Sequence, residues 1–434
     1  MNLTYTQLLK TNRNFRNLLW GQFVSEMGNW FNFIAGLGLV RLVSDASPMA
    51  AGILFVARLL PFAIFSPIAG TFVDRFSRRQ VMIWTDIIRV FVALSFLFVT
   101  SAENLWIAYL ATCVLSGVGA FFEGAKNAAT PNMTGKEGLL AGTALMFSTR
   151  FLLMALGSAL GGIASAYFGY KIAFIINAVS FAVSAFSVWL IPEEATRENE
   201  TTRERDSATA RPSFFDELKE GLRYTVVNQF ALTILIMNVI WATGGGAIQV
   251  VFERMGGVYF AEKEAWNPDL AVGILWGVSG IGLFLGMMIA HRTEAVLYRR
   301  NGYVSFIGWA LIVHGVLFAV GGVMPNLWLL AFFTFISRAI VGVEYAVQET
   351  LFQRSLPDYI RGRISTLDRG AEMTMFSLSS FFSSEAMYYI SPQLLTVISG
   401  ILSGSAGVVW FMRERGNEEG KSKEREDKIV SVQS

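Results

Sequence analysis

Gly70-Thr71-Phe72-Val73-Asp74-Arg75-Phe76-Ser77-Arg78-Arg79 lies between two long apolar runs, and its reading decides the fold. One acid and three arginines fall in a stretch too short to be a domain. The apolar runs on either side can each cross a bilayer, which takes about 20 residues. Short loops rich in Lys and Arg stay on the cytoplasmic face. The stretch therefore reads as a cytoplasmic hairpin between two membrane spans, and it orients everything else.

Outward from this hairpin the hydropathy pattern repeats. Spans are predicted near 18–40, 49–71, 80–100, 104–125, 139–164 and 170–191, and again near 229–252, 269–290, 303–323, 326–348, 367–389 and 393–412. The composition agrees: 53% of the 434 residues are hydrophobic and 16% charged, where a soluble domain carries about 25% charged residues. The expectation is an all-α integral membrane protein with twelve transmembrane helices in two six-helix bundles. Residues 1–17 form an N-terminal tail, 18–191 the first bundle, 192–228 a charged central loop, 229–412 the second bundle, and 413–434 a charged tail read as disordered. In the central loop, Phe214, Phe215, Leu218, Leu222 and Tyr224 give an apolar helical face expected to lie on the membrane surface. With both termini inside, 27 of the 35 Lys and Arg fall on the inner side, 4 on the outer side, and 4 (Arg58, Arg89, Arg150, Arg338) within spans. This asymmetry is the positive-inside signal of a multi-pass protein of the inner or plasma membrane.

Several function classes drop out. One cysteine, Cys113, leaves no internal disulfide and no cysteine metal site. The two histidines, His291 and His314, offer little for a metal, and His314 reads as a structural residue. No HExxH, Walker-type glycine loop or nucleophile elbow is present. The chain is read as a non-enzyme with no cofactor, no metal and no nucleic-acid partner. The basic residues at the N-terminus precede an apolar run longer than that of a signal peptide, so this end reads as a tail.

Four segments carry a family resemblance: Leu19–Trp30, the Gly70–Arg79 loop, Ala129-Thr130-Pro131 with Gly135-Lys136-Glu137-Gly138-Leu139, and Pro357–Arg363. On these the chain resembles the major facilitator superfamily over nearly its whole length, within the branch of bacterial macrolide-efflux proteins and the enterobactin exporter. The loop matches that family's motif A. Two positions depart from the pattern of proton antiporters: Ser158 stands where a proline is usual in Gly157–Gly162, and Cys113 where span 4 often has an arginine. The resemblance implies two bundles rocking about a midplane cavity. It also implies that Gly70, Asp74, Arg75, Arg78 and Arg79 latch the bundles in the outward-facing state, with Gly70 giving close helix approach.

Charges inside spans are costly, roughly 2.5–3.5 kcal/mol each, and mark function. Glu26 lies about 12 Å into span 1 at 1.5 Å per residue, with Asn29 and Asn32 following it. A carboxylate there is a candidate for proton or substrate binding. Arg58 and Arg150 can pair with Glu26 or hold an anionic substrate group. Asp86 and Arg89 are one turn apart, close enough to pair, and are read as part of a gate near motif A. Arg338 and Glu385 are further cavity candidates. Gly244-Gly245-Gly246 should weaken span 7, so a bend bordering the cavity is expected there. Gly157/Gly161 and Gly282/Gly286 are spaced for close helix contacts. The expected partners are a small-molecule substrate, protons and the lipid bilayer, and the chain is expected to be monomeric. The expected activity is export of small hydrophobic or amphipathic compounds by proton antiport. A lysophospholipid translocator, a siderophore exporter and a non-transporting membrane sensor are the alternatives.

Overall fold

A computed structural model describes residues 3–73, 75–197, 214–300 and 302–433. A short helix α1 (Tyr5–Thr11) leads into α2 (Arg13–Val43), α3 (Pro48–Val73), α4 (Arg78–Ser95), α5 (Leu105–Phe168) and α6 (Tyr170–Trp189). After α7 (Phe214–Val227) come α8 (Gln229–Arg254), α9 (Phe260–Glu264), α10 (Pro268–Arg300), α11 (Tyr303–Gly322), α12 (Leu327–Ser355), α13 (Asp358–Ala386) and α14 (Pro392–Gln433). Asparagine and serine start several of them. The side chains of Asn12, Asn228 and Asn326 accept the amides of Phe15, Ala231 and Leu329 at 2.9–3.0 Å, satisfying donors that a helix start leaves bare.

Among the described residues, ten stretches are both long and apolar enough to cross a membrane. The 31-residue α2 and the 29-residue α13 are not among them, although α2 packs on α5 and α6, and α13 on α3 and α8. Both carry charge toward their neighbours, which lowers their hydropathy. The fold also bears on three sequence expectations. The fourth and fifth spans, which follow one another as the two limbs of α5, are separate spans that meet at a kink at Gly135 (φ 64°, ψ 177°), a conformation that glycine adopts without steric penalty. The tail after Arg413 continues α14 as helix to Gln433; it is rich in Glu, Lys and Arg, which are good helix formers. The loop helix α7 is tied to the second half, with Glu220 paired to Arg363 of α13 and Thr225 buried, while Leu222 of its expected apolar face is exposed. The central-loop charges from Glu198 to Asp206 lie outside the described residues.

Two halves pack differently at their two ends. Near Arg41, one apolar core draws on both: Phe33, Leu37, Leu54 and Phe55 with Val251, Phe252, Leu275 and Trp276. Near the arginine loop there are two separate cores. One runs from Leu8 to Ile191 within the first half, the other from Ala231 to Trp410 within the second.

Small residues set the close crossings. A Cβ on Gly400 would overlap the Gly315 carbonyl and lie 2.8 Å from the Ala319 amide nitrogen, so α11 and α14 touch backbone to backbone. A Cβ on Gly282 would lie 2.6 Å from the Phe335 carbonyl, and Gly286 meets Ala339 and Gly342 in the same way. Gly400→Leu is expected to lower stability by about 1–3 kcal/mol through overpacking, read as a fall in the thermal midpoint of the purified protein. Gly70→Ala, where a Cβ meets nothing within 4 Å, should leave that midpoint unchanged or slightly raised.

Candidate functional site

A cavity of about 580 Å³ opens between the halves. Its lining runs from Gly36, Leu54 and Phe96 in the interior to Asn127 and Thr143 at the arginine-loop end. Glu26, Asn29, Asn32, Arg58 and Arg150 all line it, alongside Gln22 and Ser25. These side chains come together because α2 turns its Gln22–Asn32 face inward, α3 supplies Arg58, and the second limb of α5 supplies Arg150. The Arg58 guanidinium sits 3.7 Å from the Phe33 ring centroid and 4.8 Å from that of Trp30. The charges of both Glu26 and Arg150 act on it. Among the described residues, none of these three charged groups forms an ion pair within 4 Å.

The other lining charges have dedicated partners. Arg89 pairs with Asp86 one turn back and lies between the rings of Phe122 and Phe181, 4.5 and 4.4 Å from their centroids. Lys126 and Glu123 pair at 2.6 Å, and Arg369 pairs with Glu372 at 3.3 Å. Among the described residues, only Arg369 and Met373 reach the cavity from the second half. Among the described residues no group of three or more His, Cys, Asp or Glu could hold a metal ion.

The opposite end is shut. Arg41 is buried and pairs with Glu253 at 3.2 Å and with Asp269, both from the second half. Arg254 crosses the other way to donate to the Ala46 carbonyl. Beneath this cluster Trp276 makes edge contacts with Phe33 at 5.2 Å and Phe252 at 5.3 Å, so one indole bridges both halves. The glycine-rich segment of α5 seats the seam. A Cβ on Gly162 would lie 2.7 Å from the Asp269 carbonyl, and one on Gly273 would lie 2.8 Å from the Ser158 carbonyl.

The arginine loop is tied within the first half. Arg78 donates to the carbonyls of Ala128 and Thr196 at 3.1 and 3.3 Å, and Arg79 to that of Trp189 at 2.6 Å. Arg75 is exposed, and Asp74 lies outside the described residues. Gly70, expected to give close helix approach, has no neighbour within 4 Å of a Cβ built on it. The two halves are apart at this end, so there is no helix for it to approach.

Three further expectations shift. The Gly244–Gly246 triplet lies within the continuous helical run of α8 from Gln229 to Arg254, and none of the three glycines lines the cavity. Ser380, Ser399 and Ser403 instead donate to the carbonyls of Gly246, Gly244 and Trp241 at 3.0, 2.8 and 3.3 Å. The glycines let α13 and α14 come close enough for these extra bonds, which offset the poor helix propensity. Arg338 is buried away from the cavity beside His314, whose Nδ1 meets Ser337 at 2.6 Å. Glu385 is exposed in the last turn of α13, at the Arg41 end, where the nearby Tyr388 hydroxyl meets that of Ser47 at 3.1 Å.

One cluster escaped the sequence reading. Gln348 donates to Asn238, which donates to Asp368, each at 2.9 Å, and Asp368 leaves its other oxygen without a partner among the described residues. The available signal was Asp368-Arg369-x-x-Glu372, two acids on one face of the least apolar span.

Removing Arg41 strands two buried carboxylates, a loss of about 3–5 kcal/mol for a broken buried pair. Arg41→Gln should therefore loosen this end. A single reporter cysteine at the buried Ala271, with Cys113 replaced, should react faster with a membrane-impermeant thiol reagent in that variant than in its absence.

The comparisons with known proteins come to the same fold. The sequence model of the Major Facilitator Superfamily matches residues 18–313. The MFS-type transporter YfiS of Bacillus subtilis (strain 168) is 25% identical over 94% of this chain and 95% of its own. BacE of the same strain, named as a bacilysin exporter, is 26% identical over 85% of this chain and 87% of its own. Macrolide efflux protein A of Streptococcus pyogenes is 22% identical over 84% of each. Among solved structures, a bacterial homologue of the lysosomal transporter Spinster, inward-facing and unoccupied, superposes with a TM-score of 0.70 at 13% identity, covering 93% of this chain and 97% of that one. An inward-facing bacterial homologue of ferroportin gives 0.65 at 16% identity, covering 92% and 98%.

Proposed function

The chain belongs to the Major Facilitator Superfamily, a transporter family rather than an enzyme family, and from that premise we propose that it exports small hydrophobic or amphipathic compounds from the cell by proton antiport. It spans the plasma membrane twelve times with both termini inside. In this reading α2 and α13 cross with the ten apolar spans: at 1.5 Å per residue they are roughly 45 Å long, and their charged faces turn to the cavity rather than to lipid. The excess of Lys and Arg puts the arginine loop in the cytoplasm. The cavity then opens inward, and the Arg41 cluster closes the outer side. Relatives named for bacilysin export and macrolide efflux support the outward direction.

The observation that carries the proposal is Glu26. It lines the cavity beside Arg58 and Arg150 without a fixed ion pair to either. A carboxylate held between competing cations can exchange a proton or a ligand without first breaking a locked bridge. One charge crossing about 100 mV supplies about 2.3 kcal/mol, enough for roughly 50-fold accumulation. The protein acts as a monomer, rocking the two bundles so that the seam at Trp276 opens as the arginine-loop end closes.

Inverted membrane vesicles loaded with a panel of cationic, neutral and anionic amphiphiles test this. Wild type should release protons from the vesicle lumen when substrate is added. Glu26→Gln should retain substrate binding and lose substrate-driven proton movement. Absence of flux across the whole panel in wild type would reject export of amphipathic compounds.

A further inference from the structure

We propose that the cavity selects compounds that carry an anionic group, a carboxylate or its equivalent, which docks on Arg58 and Arg150 while the apolar part of the molecule lies along Phe33 and its neighbours. This rests on the export reading above and names the substrate class of the same site.

The argument begins with unmatched charge. Five cations line the cavity, namely Arg58, Arg89, Lys126, Arg150 and Arg369, against two anions, Glu26 and Glu123. Three of the cations are spoken for: Arg89 by Asp86, Lys126 by Glu123 and Arg369 by Glu372. That leaves Arg58, Arg150 and Glu26 with no ion pair within 4 Å among the described residues, while Glu123 and Glu372, whose charges also act on Arg150, are already bonded to Lys126 and Arg369. Glu26 can balance one of the two guanidiniums at most. A site of this kind is completed by an incoming negative charge and repels a positive one.

The geometry favours a carboxylate-like group over a diffuse anion. The Arg58 guanidinium carbon sits over the Phe33 ring, 3.7 Å from its centroid. A cation held against a ring keeps N–H donors that the ring does not use, and a guanidinium's donors match the two oxygens of a carboxylate. Arg150, from the second limb of α5, is exposed and lines the same cavity, near enough for its charge to act on Arg58. Phe33 continues into the bridging contact with Trp276 of the second half at 5.2 Å. An anion bound at Arg58 therefore lies two contacts from the seam that must open on the way out.

Three probes with one naphthalene sulfonamide body separate charge from shape: dansylglycine, its neutral amide, and a dansyl diamine carrying a cation. Binding is measured on the full chain in nanodiscs by equilibrium dialysis, and flux in inverted vesicles. The acid should bind about tenfold tighter than either other probe, as one charge-assisted pair allows. Arg150→Gln should remove most of that preference while leaving the amide unchanged, and Arg150→Lys should restore part of it. Equal binding of the three probes, no binding of the acid at about 1 mM, or a preference that survives Arg150→Gln would each overturn the assignment. Arg58→Gln is a second variant with the same expected direction, judged only where its thermal midpoint matches wild type. The two readings fail separately. Preferential binding of the acid with no flux of any probe sustains the selectivity and rejects export. Flux of the amide or the cation with no binding of the acid sustains export and rejects the selectivity.

Discussion

Arg41 is a buried guanidinium from the first half whose two carboxylate partners, Glu253 and Asp269, belong to the second. A buried charge is tolerated only when paired and hydrogen-bonded. The halves therefore cannot part at this end unless water replaces each partner. Everything nearby is arranged to keep water out: Trp276 fills the space between Phe33 and Phe252, and Gly162 and Gly273 bring α5 and α10 into backbone contact. The shared apolar core exists because this seam is dry.

At the other end each half is sufficient to itself. Leu8, Phe15 and Ile191 belong to a core wholly within the first half, and Phe352 and Trp410 to one wholly within the second. The arginine loop follows the same rule, since Arg78 and Arg79 spend their donors on carbonyls of their own half. Two bodies with private cores and one shared edge can rotate about that edge without unfolding. Such rotation is useful only if the two states differ by a few kcal/mol. A charged seam suits this requirement, because the energy lost when an ion pair opens is largely returned by hydration.

The class, the hairpin and the polar face of α2 were legible in the sequence because each depends on neighbours along the chain. Asp86 and Arg89 pair within one turn, and Gln22, Glu26 and Asn29 share a face by helical period alone. What the sequence hid was long-range. Arg41 lies 212 and 228 residues from its partners, and its position at the end of a span made it look like an ordinary loop charge. The glycine triplet misled for a related reason: propensity foretells a weak helix, but the serines that support it come from α13 and α14. Gly70 misled differently, since its use as a contact depends on which end of the molecule is closed. Asp368 was passed over because its partners Asn238 and Gln348 sit on other helices.

The two charge clusters differ in a way that matches their proposed tasks. At the closed end Arg41 and Arg254 stand against Glu253 and Asp269, two cations and two anions with bonds made on both sides. In the cavity Arg58, Arg150 and Glu26 form no ion pair within 4 Å among the described residues, and the other carboxylates whose charges act on Arg150 are already bonded elsewhere. A balanced, bonded set is at an energy minimum that a ligand cannot improve, which suits a seam. An unbalanced, unbonded set is improved by whatever supplies the missing charge, which suits a binding site. The Phe33–Trp276 contact is the direct physical link from that binding site to the seam.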